Sequence, residues 1–227
     1  MNVLSRLFKR PIKFLFNVNS NCVSAVLLGC IAGFPIGAKC VAILYIKGLC
    51  SKSEAEKILP YCNNAGPAFI IGALGDYRLY IVQILSAVIC GVIFSFPRRK
   101  VITDTTYIET APISLSAAII NAGTSLISVC GHICFFSFLL TIIVKFITNP
   151  FLITLICGFT EITSGIKCTA NMPHGLAFAG LFCGWSGLSV HMQISSFLSP
   201  HGISAKYCII GKLLQGIIMF FILLFIK

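Results

Sequence analysis

The sequence predicts an all-α, multi-pass membrane bundle of two pseudo-symmetric repeats whose helices are broken at matching places. Three observations carry the prediction. Hydrophobic residues make up 57% of the chain and charged residues only 10%, with a mean hydropathy of +0.97; ordinary soluble domains hold about 25% charged residues. Long runs carry almost no charge: residues 110–144 and 79–96 contain no Asp, Glu, Lys or Arg, and residues 207–226 contain only Lys212. As one helix the first run would measure about 52 Å, more than the hydrocarbon core of about 30 Å requires. Glycine, proline and asparagine interrupt the other apolar segments at corresponding points of the two halves. One integral membrane domain therefore covers residues 1–227, with repeat one at about 20–98, a central membrane segment at about 112–145 and repeat two at about 146–227.

The net charge of +11 does not indicate nucleic acid, because the basic residues form no face. Arg6, Lys9, Arg10 and Lys13 precede the first apolar run, and Arg98, Arg99 and Lys100 follow another, the pattern of cytoplasmic flanks of membrane helices. If both flanks are cytoplasmic, an even number of crossings separates them, and an inverted second repeat requires an odd number between the repeats. Val-Leu-Leu-Gly-Cys at 26–30 has the outline of a lipoprotein signal, but Asn17, Asn19, Ser20 and Asn21 split the stretch, and no cleavage is expected.

Repeat one contains LLGCIAGFPIGAKCVAILY at 27–45. Its Gly-Phe-Pro-Ile-Gly core breaks a helix, although hydropathy leaves open whether 22–45 crosses the bilayer or folds back. Ser51-x-x-Glu54 is a capping box opening a short amphipathic surface helix that ends at Pro60. Next comes CNNAGPAFIIGALGD, an unwound polar passage beside an apolar run. Repeat two echoes this order. An apolar run ends in Gly-Phe at 158–159, Gly-x-Lys-Cys follows at 165–168 as at 37–40, and FCGWSGLSVHMQISSF at 182–197 stands where the asparagines stood. Broken helices expose amide and carbonyl ends bearing about half a charge each, and paired breaks of this kind meet at the midplane of transporters to hold substrate or ion.

Candidate binding residues follow. Asn63, Asn64, Gly66 and Pro67 form one wall, and Ser186, Gly187, Ser189, His191 and Gln193 the other. On a helix, Ser189 and Gln193 share a face while His191 lies on another. The asparagines suit carboxylate or base edges alike, or cap the following segment. Trp185 stacks on an aromatic ligand or sits at the membrane interface. Gly37 and Lys39 in the first interruption match Gly165 and Lys167 in the second. Each lysine attracts an anionic substrate, or else snorkels or pairs with Glu161. Glu161, beside Thr163, is the only acid after Glu109 and is the candidate carrier of a coupling proton or Na⁺. The twelve cysteines form no C-x-x-C pair, and Cys130-Gly-His-Ile-Cys134 offers zinc too few ligands; tight helix packing explains them better. No nucleophile stands in a catalytic constellation, so a carrier is expected rather than an enzyme, with no cofactor.

GFPIGAK, the CNNAGPAFIIGALG passage, GFTEITSG and SGLSVHMQ resemble, in that order, the YlbJ-type sporulation integral membrane family. That family carries the nucleoside-recognition, or Gate, domain. The resemblance runs from about residue 22 to 226. It implies a fold related to concentrative nucleoside transporters, with paired re-entrant hairpins, and a role in spore formation, where members are linked to movement of dipicolinic acid. Family members are usually longer at the N-terminus, so a short member, a fragment and half of a two-chain or homo-oligomeric assembly all stay open. The expected function is a carrier for a small polar or anionic aromatic solute of dipicolinate type; the alternatives are a nucleoside transporter or a non-transporting membrane scaffold for spore maturation.

Overall fold

The computed structural model describes residues 10–12, 14–96 and 114–226. The charge markers Arg6, Lys9, Lys13 and those at 98–100 lie outside the described residues. Every regular element among the described residues is helical.

After a short 3₁₀ turn, Ser20–Cys22, two helices form a hairpin: α1 (Val23–Ile31) and α2 (Ile36–Ile46). They hold 9 and 11 residues, so each is about 14–17 Å long and reaches only half-way through a bilayer core. Segment 22–45 is thus a hairpin of two short helices in contact. Gly33, at φ +84°, makes the reversal in a left-handed conformation that costs other residues energy. Helix α3 (Lys52–Cys62) starts with the expected box: Glu54 N–H donates to Ser51 Oγ (3.2 Å) and Ser51 N–H to Glu54 Oε2 (2.9 Å).

Two expectations for α3 fail. It does not end at Pro60, which lies inside the helix, and it is not a surface element, since its last five residues are buried. Pro60 packs where Gly211 leaves room, so burial of the ring offsets the hydrogen bond it removes.

Residues 63–66 are not helical. A π-helical turn follows (Ala68–Ala73), and α4 (Tyr77–Ser95) begins at Asp76, whose carboxylate caps the helix and pairs with Arg78 (2.8 Å). Helix α5 (Leu115–Ile143) fills the central segment, with large apolar side chains such as Ile119, Leu126 and Phe138 facing outward. A second hairpin comprises α6 (Pro150–Thr160) and α7 (Ile162–Thr169), again too short to cross. Helices α8 (Gly175–Trp185) and α9 (Gly187–Leu198) meet at a kinked junction, and α10 (Lys206–Leu224) closes the chain. Four candidate membrane spans occur among the described residues, in α4, α5, the joined α8–α9 and α10. The order hairpin, broken helix, spanning helix therefore occurs twice, with α5 between.

Helix α10 is the axis of the bundle. It lies against α8, where Gly184 meets the backbone of Gly216 with no room for a Cβ on either, and it also touches α3 and α4. Close backbone approach at small residues is how membrane helices associate, since lipid gives apolar side chains little reason to leave it. Buried free cysteines (Cys62, Cys90, Cys183, Cys208) fill the same seams.

Candidate functional site

Each hairpin tip presses against the break of its own half. At the first tip, a Cβ on Gly33 would stand 2.9 Å from the Gly66 nitrogen. At the second, Glu161 is both the C-cap of α6 and the N-cap of α7. Its carboxylate accepts from Thr163 N–H (3.1 Å) and Ser164 N–H (2.8 Å). Gly187, at φ +77°, sits on this tip, where a Cβ would be 3.0 Å from Ile162 N and 3.2 Å from Thr160 O.

The two halves share one hollow. A cavity of about 260 Å³ is lined by Gly33 and Phe34 of the first tip, Ala65 and Gly66 of the first break, Glu161 and Thr163 of the second tip, and Ser189 and Gln193 of α9. Val129 and Ile133 of α5 close one side, and Phe69 adds a second ring beside Phe34. Ser189 and Gln193 are one helical turn apart and both line it, as their spacing predicts. Both are buried, yet Ser189 Oγ and Gln193 Nε2 have no hydrogen-bond partner. Buried polar atoms are nearly always paired, so two free donors in a cavity mark a place where a guest's acceptors fit.

Several candidates stand elsewhere. Asn63 and Asn64 are fully buried and do not line the cavity. Asn63 Oδ1 accepts from Ala38 N–H (2.7 Å), capping α2, and Asn64 Nδ2 donates to the Tyr61 carbonyl (2.9 Å). Asn63 thus binds the first turn of α2 and Asn64 the last turn of α3, so neither amide is free for a guest. Pro67 starts the π-helical turn between two lining residues and is not itself lining. Gly37 and Gly165 serve close packing: a Cβ at Gly37 would strike the Cys62 carbonyl, and Gly165 lies on Gly158.

Neither lysine of the hairpins reaches the cavity. Lys39 ties α2 to α5 through Ser125 Oγ (2.6 Å) and the Asn121 carbonyl (3.3 Å), and Lys167 is exposed. Neither pairs with Glu161, whose charge is met by the amide end of α7. Ser186 holds the second break at φ +80°, with its hydroxyl turned back to the Cys183 and Gly184 carbonyls. His191 Nε2 donates to the Trp185 carbonyl (3.0 Å), and its ring packs on the indole with centroids 4.4 Å apart. Trp185 itself donates to the Phe159 carbonyl (2.9 Å), so it braces the second hairpin.

Sequence reasoning missed three residues that build the first break. Gln83 of α4 pairs with both backbone groups of Ala65: Ala65 N–H to Oε1 (3.2 Å) and Nε2 to the carbonyl (2.9 Å). Gln215 of α10 donates to Asn64 Oδ1 (2.9 Å), and Lys212, one turn earlier, donates to the Asn63 carbonyl and to Gln215 Oε1 (2.7 Å). All three are fully buried. Their signal was available: a lysine and two glutamines inside apolar spanning helices are costly enough to require a task.

No family model matches the chain, and no solved structure does. Among curated proteins, the sporulation integral membrane protein YlbJ of Bacillus subtilis (strain 168) is 27% identical over a 271-residue alignment covering 96% of this chain and 66% of that protein. The chain thus spans slightly less than two thirds of its relative's length. Among the described residues four helices are long and apolar enough to span a bilayer; the chain is an integral membrane protein, similar in sequence to the sporulation integral membrane protein YlbJ of Bacillus subtilis.

Proposed function

We propose that this protein is a membrane carrier, not an enzyme, for a small polar or anionic aromatic solute of dipicolinate type, and that it serves spore formation as its relative's name indicates. The observation that supports the reading is the cavity between two hairpin tips and two helix breaks, with Ser189 and Gln193 offering unpartnered donors. Phe34 and Phe69 give walls for a flat ring, and the two donors suit carboxylate or ring-nitrogen acceptors. The hairpin lysines no longer support an anionic guest, so the preference rests on these donors. Alternating access follows if one hairpin withdraws from its break while the other stays seated. Glu161, the one charged residue in the wall among the described residues, is then the proposed carrier of a coupling proton or cation.

The test is uptake of labelled dipicolinate into proteoliposomes. Wild type is expected to accumulate it, Gln193→Ala and Glu161→Ala to lose at least tenfold in rate, and Lys167→Ala to transport normally. Equal uptake by wild type, Gln193→Ala and protein-free liposomes would remove the proposal. A nucleoside is the second reading, favoured by the same Glu161 carboxylate, which accepts hydrogen bonds from base or ribose donors. Competition by unlabelled nucleoside and none by dipicolinate would select it.

A further inference from the structure

The buried ammonium of Lys212 has an oxygen shell and, among the described residues, no carboxylate. It is fully buried in the middle of α10. Its donors go to the Asn63 carbonyl, to Gln215 Oε1 (2.7 Å) and, at 3.5 Å, to Asn64 Oδ1. The Phe34 ring centroid stands 5.4 Å away, so the cation lies directly behind one wall of the cavity. The titratable groups around it include the thiols of Cys30, Cys62, Cys90 and Cys208; among the described residues no carboxylate pairs with it.

Lone buried cations are expensive in a membrane protein, and this one is placed where a cation has work to do. Helix α3 ends at Asn63, so its last carbonyls carry the negative end of the helix dipole into a dry interior. One backbone carbonyl and two amide oxygens converge on a point, and neutral oxygens of this kind are ligands for hard cations. Here the chain fills that point itself, from α10 of the second half onto the break of the first.

We propose that Lys212 is a tethered cation that takes the place of a soluble sodium or potassium ion at the first break. It is a positioning residue: it acts on the cavity through Asn63 and Asn64, and it touches no guest. The inference concerns the break alone and stands whether or not the cavity carries a solute.

The experiment needs no solute. Thermal unfolding of the full-length protein in detergent is followed in sodium, potassium, methylammonium or choline chloride at equal ionic strength. Wild type is expected to unfold at the same temperature, within about 1 °C, in all four. Lys212→Ala, which empties the shell, is expected to lose about 10 °C in choline, with sodium or methylammonium restoring at least half. Lys212→Met, which fills the space without charge, should lose stability and show no ion response. Wild type stabilised by sodium over choline would overturn the proposal, because a soluble ion would then still be needed. So would Lys212→Met as stable as wild type, or Lys212→Ala with no greater ion response than Lys212→Met. Should the variants fail to fold, the wild-type comparison decides alone.

Discussion

Replacing Gln83 by leucine isolates the most specific contact in the first break. Leucine has similar volume, stays apolar in a spanning helix and leaves the Gln83 backbone, which accepts from Gln215 Nε2 at 3.1 Å, untouched. What it removes is the pair of bonds to Ala65. Ala65 is 1% exposed, so its N–H and carbonyl would both be left without a partner. Each orphaned group costs about 1–3 kcal/mol in protein interiors, whereas hydrogen bonds inside membrane proteins average about 0.6 kcal/mol. The two scales bracket a loss of about 1–6 kcal/mol, and about 3 is the central expectation. At about 2–4 °C per kcal/mol for a chain of this size, Gln83→Leu should melt about 6–12 °C below wild type in detergent. Gln83→Glu keeps an acceptor for the Ala65 N–H but loses the donor for its carbonyl, so it should fall between the two. Melting of Gln83→Leu within 1 °C of wild type would refute the idea that this side chain holds the break open.

Three further perturbations test other contacts. Ser189→Ala removes a hydroxyl with no internal partner, so stability should change by less than about 0.5 kcal/mol while solute affinity, read by titration, falls about tenfold. Gly33→Ala and Gly48→Ala both force a side chain into the left-handed region (φ +84° and +66°), but only Gly33 faces Gly66. The strain costs about 1–2 kcal/mol in each, and any excess loss at Gly33 in thermal melts measures the tip-to-break contact. Ser51→Ala should cost about 1 kcal/mol through loss of the capping box, visible as a lower melting temperature with unchanged solute affinity.

The spanning helices were legible because membranes leave few options: an uncharged run of sufficient length must be a helix. The runs at 79–96 and 207–226 correspond to Tyr77–Ser95 and Lys206–Leu224. The breaks were legible too, since Gly-Phe-Pro-Ile-Gly and Asn-Asn-Ala-Gly-Pro have no stable place inside a helix. The division of labour among polar side chains was not legible. Asn63 and Asn64 read as ligands because asparagine binds many things; what they bind is their own main chain, a demand invisible until the carbonyls of α3 are located. Pairing by helical spacing worked for Ser189 and Gln193 because one regular helix carries both. The Gly-x-Lys-Cys echo did not make Lys39 and Lys167 equivalent, because Lys39 is bonded to α5 and Lys167 is exposed. Lys212 was passed over as a mere interruption, although a lysine one turn before a glutamine in an otherwise apolar helix was the strongest polar anomaly in the chain.

The two breaks solve the same problem by different physics. The second is compact: Ser186 and Gly187 both turn left-handed, helix α8 hands over to α9 within one step, and the junction borrows only the Trp185–His191 contact and the second hairpin. Few backbone groups lose partners there, so short-range geometry suffices. The first break is extended over residues 63–66 and frees groups too far apart to satisfy one another. The Asn64 N–H goes to the Gly29 carbonyl of the first hairpin, and the remaining support comes from side chains of distant helices: Gln83 from α4, and Lys212 and Gln215 from α10. A wall held by side chains on two separate helices depends on how those helices sit. A wall held by its own dihedral angles does not. Motion of α10 relative to α4 therefore acts on the first wall through Gln83, Lys212 and Gln215, whereas it reaches the second only through the close backbone contact of Gly184 with Gly216 beside that break.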